Sequence, residues 1–205
     1  NLILDKVESY TGLNTDGLYD DVSDEEIDAE TTGRVEGCNN TGDVTADINV
    51  GGIAGSMAID NDDLEDSAAG KADVSPGSRY LIKCVINNCR NDGYITAKKD
   101  GVGGVAGYMK LGIIRGSTSF GSVRSSDGGY AGGICGQSLS MIVDSYSLCS
   151  VEGSKYVGGI AGYGDAIKNC YAMVYLEAES GRVGAIAGQT TAYEDEEEEN
   201  DDKVV

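Results

Sequence analysis

Two glutamates at equivalent positions of neighbouring repeats are the residues whose type and spacing best fit acid–base chemistry. Glu152 and Glu177 belong to the row Thr45, Thr96, Arg124, Glu152 and Glu177, in which each residue follows the recurring apolar residue of a repeated segment. If successive repeats stack in register, the two carboxylates lie about 5 Å apart, as in retaining glycosidases. The same alignment sets Arg124 beside Glu152, which is typical of a solvated surface ladder. We therefore expect a polar face here and keep glycan cleavage as the less favoured alternative.

Tyrosines supply the stronger candidates for binding. The sequence has 12 Tyr, one Phe and no Trp. Two rows of equivalent positions contain most of the candidates, namely Asn49, Gly101, Tyr130, Tyr156 and Arg182, and Ser56, Tyr108, Gln137, Tyr163 and Gln189. A tyrosine keeps one polar end in water, so such rows fit the surface or the corners of a stack. We predict that Tyr108, Tyr130, Tyr156, Tyr163 and Arg182 form a face for glycans or a protein partner, with simple cover of coil edges as the alternative.

Several classes of function are disfavoured by what the chain lacks. There is no His, which excludes HExxH zinc proteases and Ser-His-Asp or Cys-His sites from this chain. The net charge is −20, and 21 of the 35 acidic residues fall in three stretches (16–30, 60–66 and 194–202) that contain no Lys or Arg. The remaining 14 acidic residues are balanced by 15 basic ones. A nucleic-acid partner is therefore not expected, because no basic stripe exists.

Metal binding has only weak candidates. Asp60, Asp62, Asp63 and Asp66 suggest calcium by composition, but they lack the spacing of an EF-hand loop. No C-x-x-C spacing occurs, which disfavours zinc. We expect no cofactor, with a weakly bound calcium ion at the aspartates as the single alternative.

The six cysteines mostly follow the repeat. Cys38, Cys89 and Cys170 share one repeat position with Ser117 and Ser145. Small residues in one register fit the interior of a stack, so we predict a buried row of free thiols. Disulfides across repeats are less favoured, because Cys38 and Cys89 adjoin only if the segment between them loops out. Cys84 lies outside the register, which leaves a Cys84–Cys89 pairing open.

These candidate residues depend on a repeated phrase for their positions. Its five copies occupy 50–55, 102–107, 131–136, 157–162 and 183–188, and the best-formed copy reads Val157-Gly158-Gly159-Ile160-Ala161-Gly162. The steps between copies are 52, 29, 26 and 26 residues. Such a period marks a repeat protein built from stacked units.

Each repeat unit has the composition of short strands and turns. Apolar and β-branched runs are interrupted by Gly, Asn and Ser, and no stretch keeps a helical apolar period. The chain contains 31 Gly, each of which would cost about 1 kcal/mol inside a helix. One unit of about 26 residues cannot bury its own apolar face. We predict an all-β, parallel β-helix-like solenoid of about five to six coils with an acidic loop insertion.

The phrase, together with the upstream Ile167-x-Asn169-Cys170 and Gly42-x-Val44 types of element, resembles the GLUG-type repeat of large bacterial surface proteins. That family includes adhesin-like proteins and the non-catalytic N-terminal part of IgA-specific metallopeptidases. The resemblance covers about residues 33–189. It implies a non-enzymatic, extracellular module of a larger polypeptide on the bacterial cell surface, used for display and adhesion to host glycans or surface proteins. A pure stalk or spacer is the alternative.

The sequence also suggests boundaries. Residues 1–32 are predicted to be an acidic lead-in or cap, 33–189 the solenoid, 56–80 a loop insertion within it, and 190–205 an acidic tail or linker. No run of 18 apolar residues occurs, so no transmembrane segment is expected. The first residues resemble neither a signal peptide nor a translation start, and we expect a mature product or a fragment.

Overall fold

A computed structural model describes residues 19–21, 33–58, 80–82 and 84–190 of the chain. Throughout these residues the regular structure is β, with parallel strand pairing and no helix. The chain winds as a β-solenoid in which each repeat contributes one coil. The predicted fold class is therefore confirmed.

The first two coils are each built from five separate strands. Coil 1 contains β2 (Gly33–Glu36), β3 (Asn39–Asn40), β4 (Val44–Ala46), β5 (Val50–Gly51) and β6 (Ala54–Met57). Coil 2 contains β8 (Cys84–Asn87), β9 (Arg90–Asn91), β10 (Ile95–Ala97), β11 (Val102–Gly103) and β12 (Ala106–Met109). Strands β1 (Tyr19–Asp21) and β7 (Tyr80–Ile82) pair with each other outside the coils.

The last three coils share two long strands, each of which ends one coil and begins the next. Coil 3 contains β13 (Ile113–Arg115), β14 (Thr118–Ser119), β15 (Val123–Ser125) and β16 (Tyr130–Gly132), and then enters β17 (Cys135–Val143). Coil 4 continues with β18 (Tyr146–Ser147), β19 (Ser150–Gly153) and β20 (Tyr156–Gly158), and then enters β21 (Ala161–Lys168). Coil 5 continues with β22 (Tyr171–Ala172), β23 (Tyr175–Ala178), β24 (Arg182–Gly184) and β25 (Ala187–Gln189).

The coils stack in register into four sheets. Three sheets have five strands each, in the orders β3-β9-β14-β18-β22, β4-β10-β15-β19-β23 and β5-β11-β16-β20-β24. The fourth sheet has eight strands and consists of the first and last strands of the coils, including the long strands β17 and β21 that serve as both. Each five-stranded sheet takes one strand from each of the five coils, and about four full turns separate the first strand from the last. The sequence predicted five to six coils.

A left-handed residue at the same corner of every coil explains part of the Gly and Asn pattern. This position is occupied by Gly37, Asn88, Gly116, Asp144 and Asn169, all with φ between 50° and 63°. Glycine, asparagine and aspartate tolerate this conformation better than other residues. The corner therefore selects these residue types, and the selection fixes the register of each coil against the next.

Close approach of neighbouring coils explains a second row of glycines. The row is Gly52, Gly104, Gly133, Gly159 and finally Ala185. A Cβ on Gly159 would lie 2.1 Å from the carbonyl oxygen of Ala185 in the next coil. Coil 5 has no described coil beyond it, and only there does the row carry a methyl group.

The interior combines apolar rows with a smaller polar row. Val105, Ile134 and Ile160 stack in one core cluster and have 0% exposure. Asn91 is also fully buried, and Asn40 Nδ2 donates a hydrogen bond of 2.8 Å to its side-chain oxygen. Because buried amides need partners, this contact stabilises the pairing of coils 1 and 2.

The shared repeat position of the cysteines is confirmed, and it lies at one corner of the coils. We call the five residues at this position the thiol row, namely Cys38, Cys89, Ser117, Ser145 and Cys170. All six cysteines of the chain are free. Burial is less uniform than expected. Cys89 is buried and Cys170 is half-buried, whereas Cys38 is exposed, because no described strand pairs with the outer side of coil 1 at this corner. The alternative Cys84–Cys89 disulfide is wrong, since both thiols are free.

The predicted boundaries are tested only where the structure describes the chain. Residues 56–57 of the predicted insertion still belong to β6, while 59–79 lie outside the described residues. In the predicted lead-in and tail, only β1 and Thr190 are described. The division into lead-in, solenoid, insertion and tail otherwise stays a prediction.

Candidate functional site

The centre of the candidate site is a pair of stacked tyrosines on adjacent coils. Tyr130 of β16 pairs in register with Tyr156 of β20. Their ring centroids lie 5.1 Å apart with an interplanar angle of 14°. Each tyrosine precedes a buried residue, Ala131 or Val157, and strand alternation therefore directs the ring to the outside. The in-register row predicted from the sequence is confirmed.

Arg182 extends this row into coil 5. It pairs with Tyr156, and its guanidinium carbon lies 5.6 Å from the centre of that ring. Its Nη1 donates a hydrogen bond of 3.2 Å to the side-chain oxygen of Gln189. A guanidinium over a tyrosine ring is attracted by the negative face of the ring. The row therefore ends in the positive charge of Arg182, whose side chain is held by Tyr156 and Gln189.

The second predicted row lies beside the first. Tyr163 makes an edge-to-face contact with Tyr130, with centroids 6.2 Å apart and an interplanar angle of 79°. Tyr108 belongs to the same row as Tyr163, but Gln137 stands between them. The structure thus brings Tyr130, Tyr156, Tyr163 and Arg182 into contact and places Tyr108 two coils from Tyr163. We call these five residues, with Gln137 and Gln189, the tyrosine face.

Partial burial affects the ionisation of the tyrosine face. The pKa of Tyr130 is raised, mainly by desolvation and further by the neighbouring Tyr156 and by the negative charge of Asp100. Desolvation also raises the pKa of Tyr108. Both phenols therefore stay protonated at neutral pH, and their hydroxyl groups remain hydrogen-bond donors.

A second aromatic cluster lies along the sheet that contains β14, β18 and β22. Tyr146 and Tyr171 stack with centroids 4.7 Å apart, and Phe120 meets Tyr146 edge to face at 5.9 Å. The Arg90 guanidinium carbon lies 4.2 Å from the centre of the Phe120 ring. Tyr146 and Tyr171 occupy equivalent repeat positions, whereas Phe120 lies two positions beyond that row, in which Thr118 pairs with both Arg90 and Tyr146. Sequence reasoning therefore missed Arg90 and Phe120 as members of this cluster.

The two glutamates are adjacent, as the alignment predicts, but each has a surface partner. Glu152 and Glu177 pair in register on β19 and β23. Arg124 Nε lies 3.5 Å from Glu152 Oε2, and the Tyr175 hydroxyl donates a 3.3 Å hydrogen bond to Glu177 Oε2. Exposed side chains on a sheet surface do not enclose a sugar ring. The arrangement is that of a solvated ladder of surface side chains, which the sequence analysis favours over a glycan-cleaving site.

The calcium candidates Asp60, Asp62, Asp63 and Asp66 lie outside the described residues. Among the residues that are described, no group of three or more Cys, Asp or Glu side chains is arranged to hold a metal ion. That part of the chain also contains no helix that is long and apolar enough to cross a membrane.

Comparison with known proteins assigns neither a family nor a function to this chain. No family model, no curated protein and no solved structure matches the chain. The resemblance to GLUG-type repeats therefore stays a prediction from the sequence motif, and any function has to be argued from the surface itself.

Proposed function

We propose that this chain is a non-enzymatic module that extends and displays a binding surface, and that the tyrosine face binds a protein partner. The observation that supports this most is the contact of Tyr130 with both Tyr156 and Tyr163. Tyrosine and arginine are the residues enriched at the energetic centres of protein interfaces. Rings that already hold one another lose little conformational freedom on binding.

The packing of the rings favours a protein over a glycan. Sugars usually stack on a free aromatic face, whereas Tyr130 and Tyr156 turn their faces to each other and Arg182 covers part of the stack. The stacked pair offers a partner its ring edges and hydroxyl groups, and the amides of Gln137 and Gln189 belong to the same face. Such a mixed surface suits peptide groups and side chains of a folded protein.

Adhesion on a bacterial surface, outside the cell, follows from the motif resemblance and is part of the same proposal. In that setting the stack of coils supplies length, and the repeated rows supply the contact surface. The proposal needs no cofactor and no bond-breaking step.

A pure spacer is the second candidate, because the stack ends in unpaired strands. Among the described residues, nothing pairs with the outer edges of β22, β23 and β24. Such edges suit a segment within a longer stack of coils. A spacer requires no ligand on the tyrosine face.

The test is binding of the purified chain to an array of host glycoproteins and free glycans, with and without calcium. We expect a glycoprotein hit whose affinity falls on the order of tenfold or more in the double variant Tyr130→Ala and Tyr156→Ala. The matched control is Tyr146→Ala with Tyr171→Ala, which removes the other stacked pair. Thermal melting of both variants verifies that each is folded.

Three results would overturn the proposal. A folded protein with no hit favours the spacer. A hit that only the control variant weakens moves the binding surface to the second aromatic cluster. Binding to a free glycan that both rings support identifies the ligand as a sugar and rejects the protein partner.

A further inference from the structure

Cys38 and Cys89 are neighbours in the thiol row, because coils 1 and 2 stack on each other although the two residues are far apart in the sequence. The flanking residues pair in register, Glu36 with Asn87 and Asn39 with Arg90. The Arg90 amide donates a 2.9 Å hydrogen bond to the Cys38 carbonyl. Strands paired in this way set equivalent Cα atoms about 4.8 Å apart, which lies within the range of disulfide-bonded cysteines.

The two thiols also have the same orientation. Cys38 Sγ donates to the Glu36 carbonyl at 3.4 Å, and Cys89 Sγ donates to the Asn87 carbonyl at 3.4 Å. In addition, Cys89 Sγ lies 3.6 Å from the Val35 carbonyl of coil 1, so its sulfur reaches toward the coil that carries Cys38. The two side chains thus point to the same side of the corner rather than to opposite faces.

No other cysteine has this relation. Cys170 faces Ser145, and Cys135 pairs with Ala106 and Ala161. The two cysteines differ in access to solvent, since Cys38 is exposed and Cys89 is buried. A reagent in solution meets Cys38 first, and Cys89 is the only thiol of the row beside it.

We propose that Cys38 and Cys89 are a disulfide-forming pair that fastens coil 1 to coil 2 when a small-molecule disulfide is present. The Cys38 thiolate attacks one sulfur of that disulfide, whose S–S bond breaks to release one thiol. The Cys89 sulfur then attacks Cys38 and displaces the second thiol. The two protons lost by the cysteines end on the two released thiols, and two electrons pass from the protein to the reagent.

The pH dependence of the second step and the fold of the serine variants can both be predicted. Desolvation raises the pKa of the Cys89 thiol, so the second step quickens as the pH rises. Serine replaces cysteine at this position in coils 3 and 4, where Ser117 and Ser145 donate to the carbonyls of Arg115 and Val143. The variants Cys38→Ser and Cys89→Ser should therefore keep the fold.

The experiment incubates the full chain with oxidised glutathione and maps its peptides without reduction. We expect one linked pair containing Cys38 and Cys89, with a mass about 2 Da below that of the two thiols. Cys89→Ser should instead accumulate a stable glutathione adduct on Cys38. Cys170→Ser, which removes a thiol from the same row, should leave the linked pair unchanged.

The proposal is overturned if the unmodified chain accumulates the Cys38 adduct without resolving it, or if neither cysteine reacts. Linkage of Cys89 to Cys84, or a linked Cys38–Cys89 pair found only between two chains, would equally reject it. Circular dichroism of each variant before oxidation shows that a lost linkage reflects the missing thiol and not a lost fold.

Discussion

Coil 4 and coil 5 have nearly the same sequence pattern but very different burial. Val157 and Ile160 of coil 4 are 0% exposed, whereas the equivalent Val183 and Ile186 of coil 5 are 50% and 38% exposed. The difference lies in the neighbours, since coil 4 is covered by coil 5 and the outer edge of coil 5 pairs with no described strand.

The comparison shows that a coil's burial is set by the coil beyond it. A residue pattern that makes a core in the middle of the stack makes a half-open surface at its end. Stability in such a protein is a sum of contacts between neighbouring coils, and identical substitutions should have unequal effects in the two places.

The largest effect is expected for Gly159→Val. Its Cβ would lie 2.1 Å from the Ala185 carbonyl oxygen and 2.6 Å from the Ala172 Cβ. We expect a loss of more than about 4 kcal/mol in the free energy of unfolding, measured by urea denaturation. The matched change Ala185→Val, at the exposed end of the same row, should cost less than about 1 kcal/mol. Equal losses at both sites would show that the row is not set by coil stacking.

Removal of one apolar side chain should cost more unfolding free energy in coil 4 than in coil 5. Ile160→Ala creates a cavity among buried residues and should cost about 3–4 kcal/mol. Ile186→Ala removes the equivalent side chain from a position that is 38% exposed, and less than half of that loss is expected. Urea denaturation of both variants measures the difference, and a larger loss for Ile186→Ala would contradict the account.

Alkaline pH should destabilise the stacked core through Cys135. Burial raises the pKa of this thiol to about 12, from a usual value of 9.0. A raised folded-state pKa stabilises the protein fully below about pH 9, and this stability is lost as the pH rises toward 12. Cys135→Ala, which copies Ala106 and Ala161 of the adjacent coils, should therefore show a smaller fall in Tm between about pH 8 and about pH 11. A Cys135→Ala profile that falls as steeply as that of the unmodified protein would reject this cause.

The smallest effect is expected for Glu152→Gln. The Arg124–Glu152 pair is exposed, so its loss should change the free energy of unfolding by no more than about 0.5 kcal/mol. The same variant tests the glycan-cleaving alternative. Hydrolysis of a polysaccharide by the unmodified chain that disappears in Glu152→Gln would replace the binding account with an enzymatic one.

The rows of the solenoid could be predicted because local constraints fix the register. The left-handed corner at Asn88 and Asp144, and the close contact at Gly133, admit few residue types. Those residues therefore mark equivalent positions in the sequence. Once they are aligned, the neighbours Tyr130 and Tyr156, or Glu152 and Glu177, follow without any further information.

Side-chain packing and end effects could not be predicted in the same way. The contact of Arg90 with Phe120 joins positions that differ by two places in the repeat, so no row contains both. The exposure of Cys38 depends on its place in coil 1, where no described strand pairs beyond β3, although its sequence environment resembles that of the buried Cys89. Neither property is encoded in the repeat phrase.

Hydrogen exchange detected by mass spectrometry tests the central claim most directly, because it reports the opening of each coil separately. We predict that amides in 102–163 exchange slowest and that those in 171–189 exchange roughly tenfold faster or more. Equal protection of the two regions, or greater protection in 171–189, would contradict the claim that each coil is stabilised by the coil stacked on it.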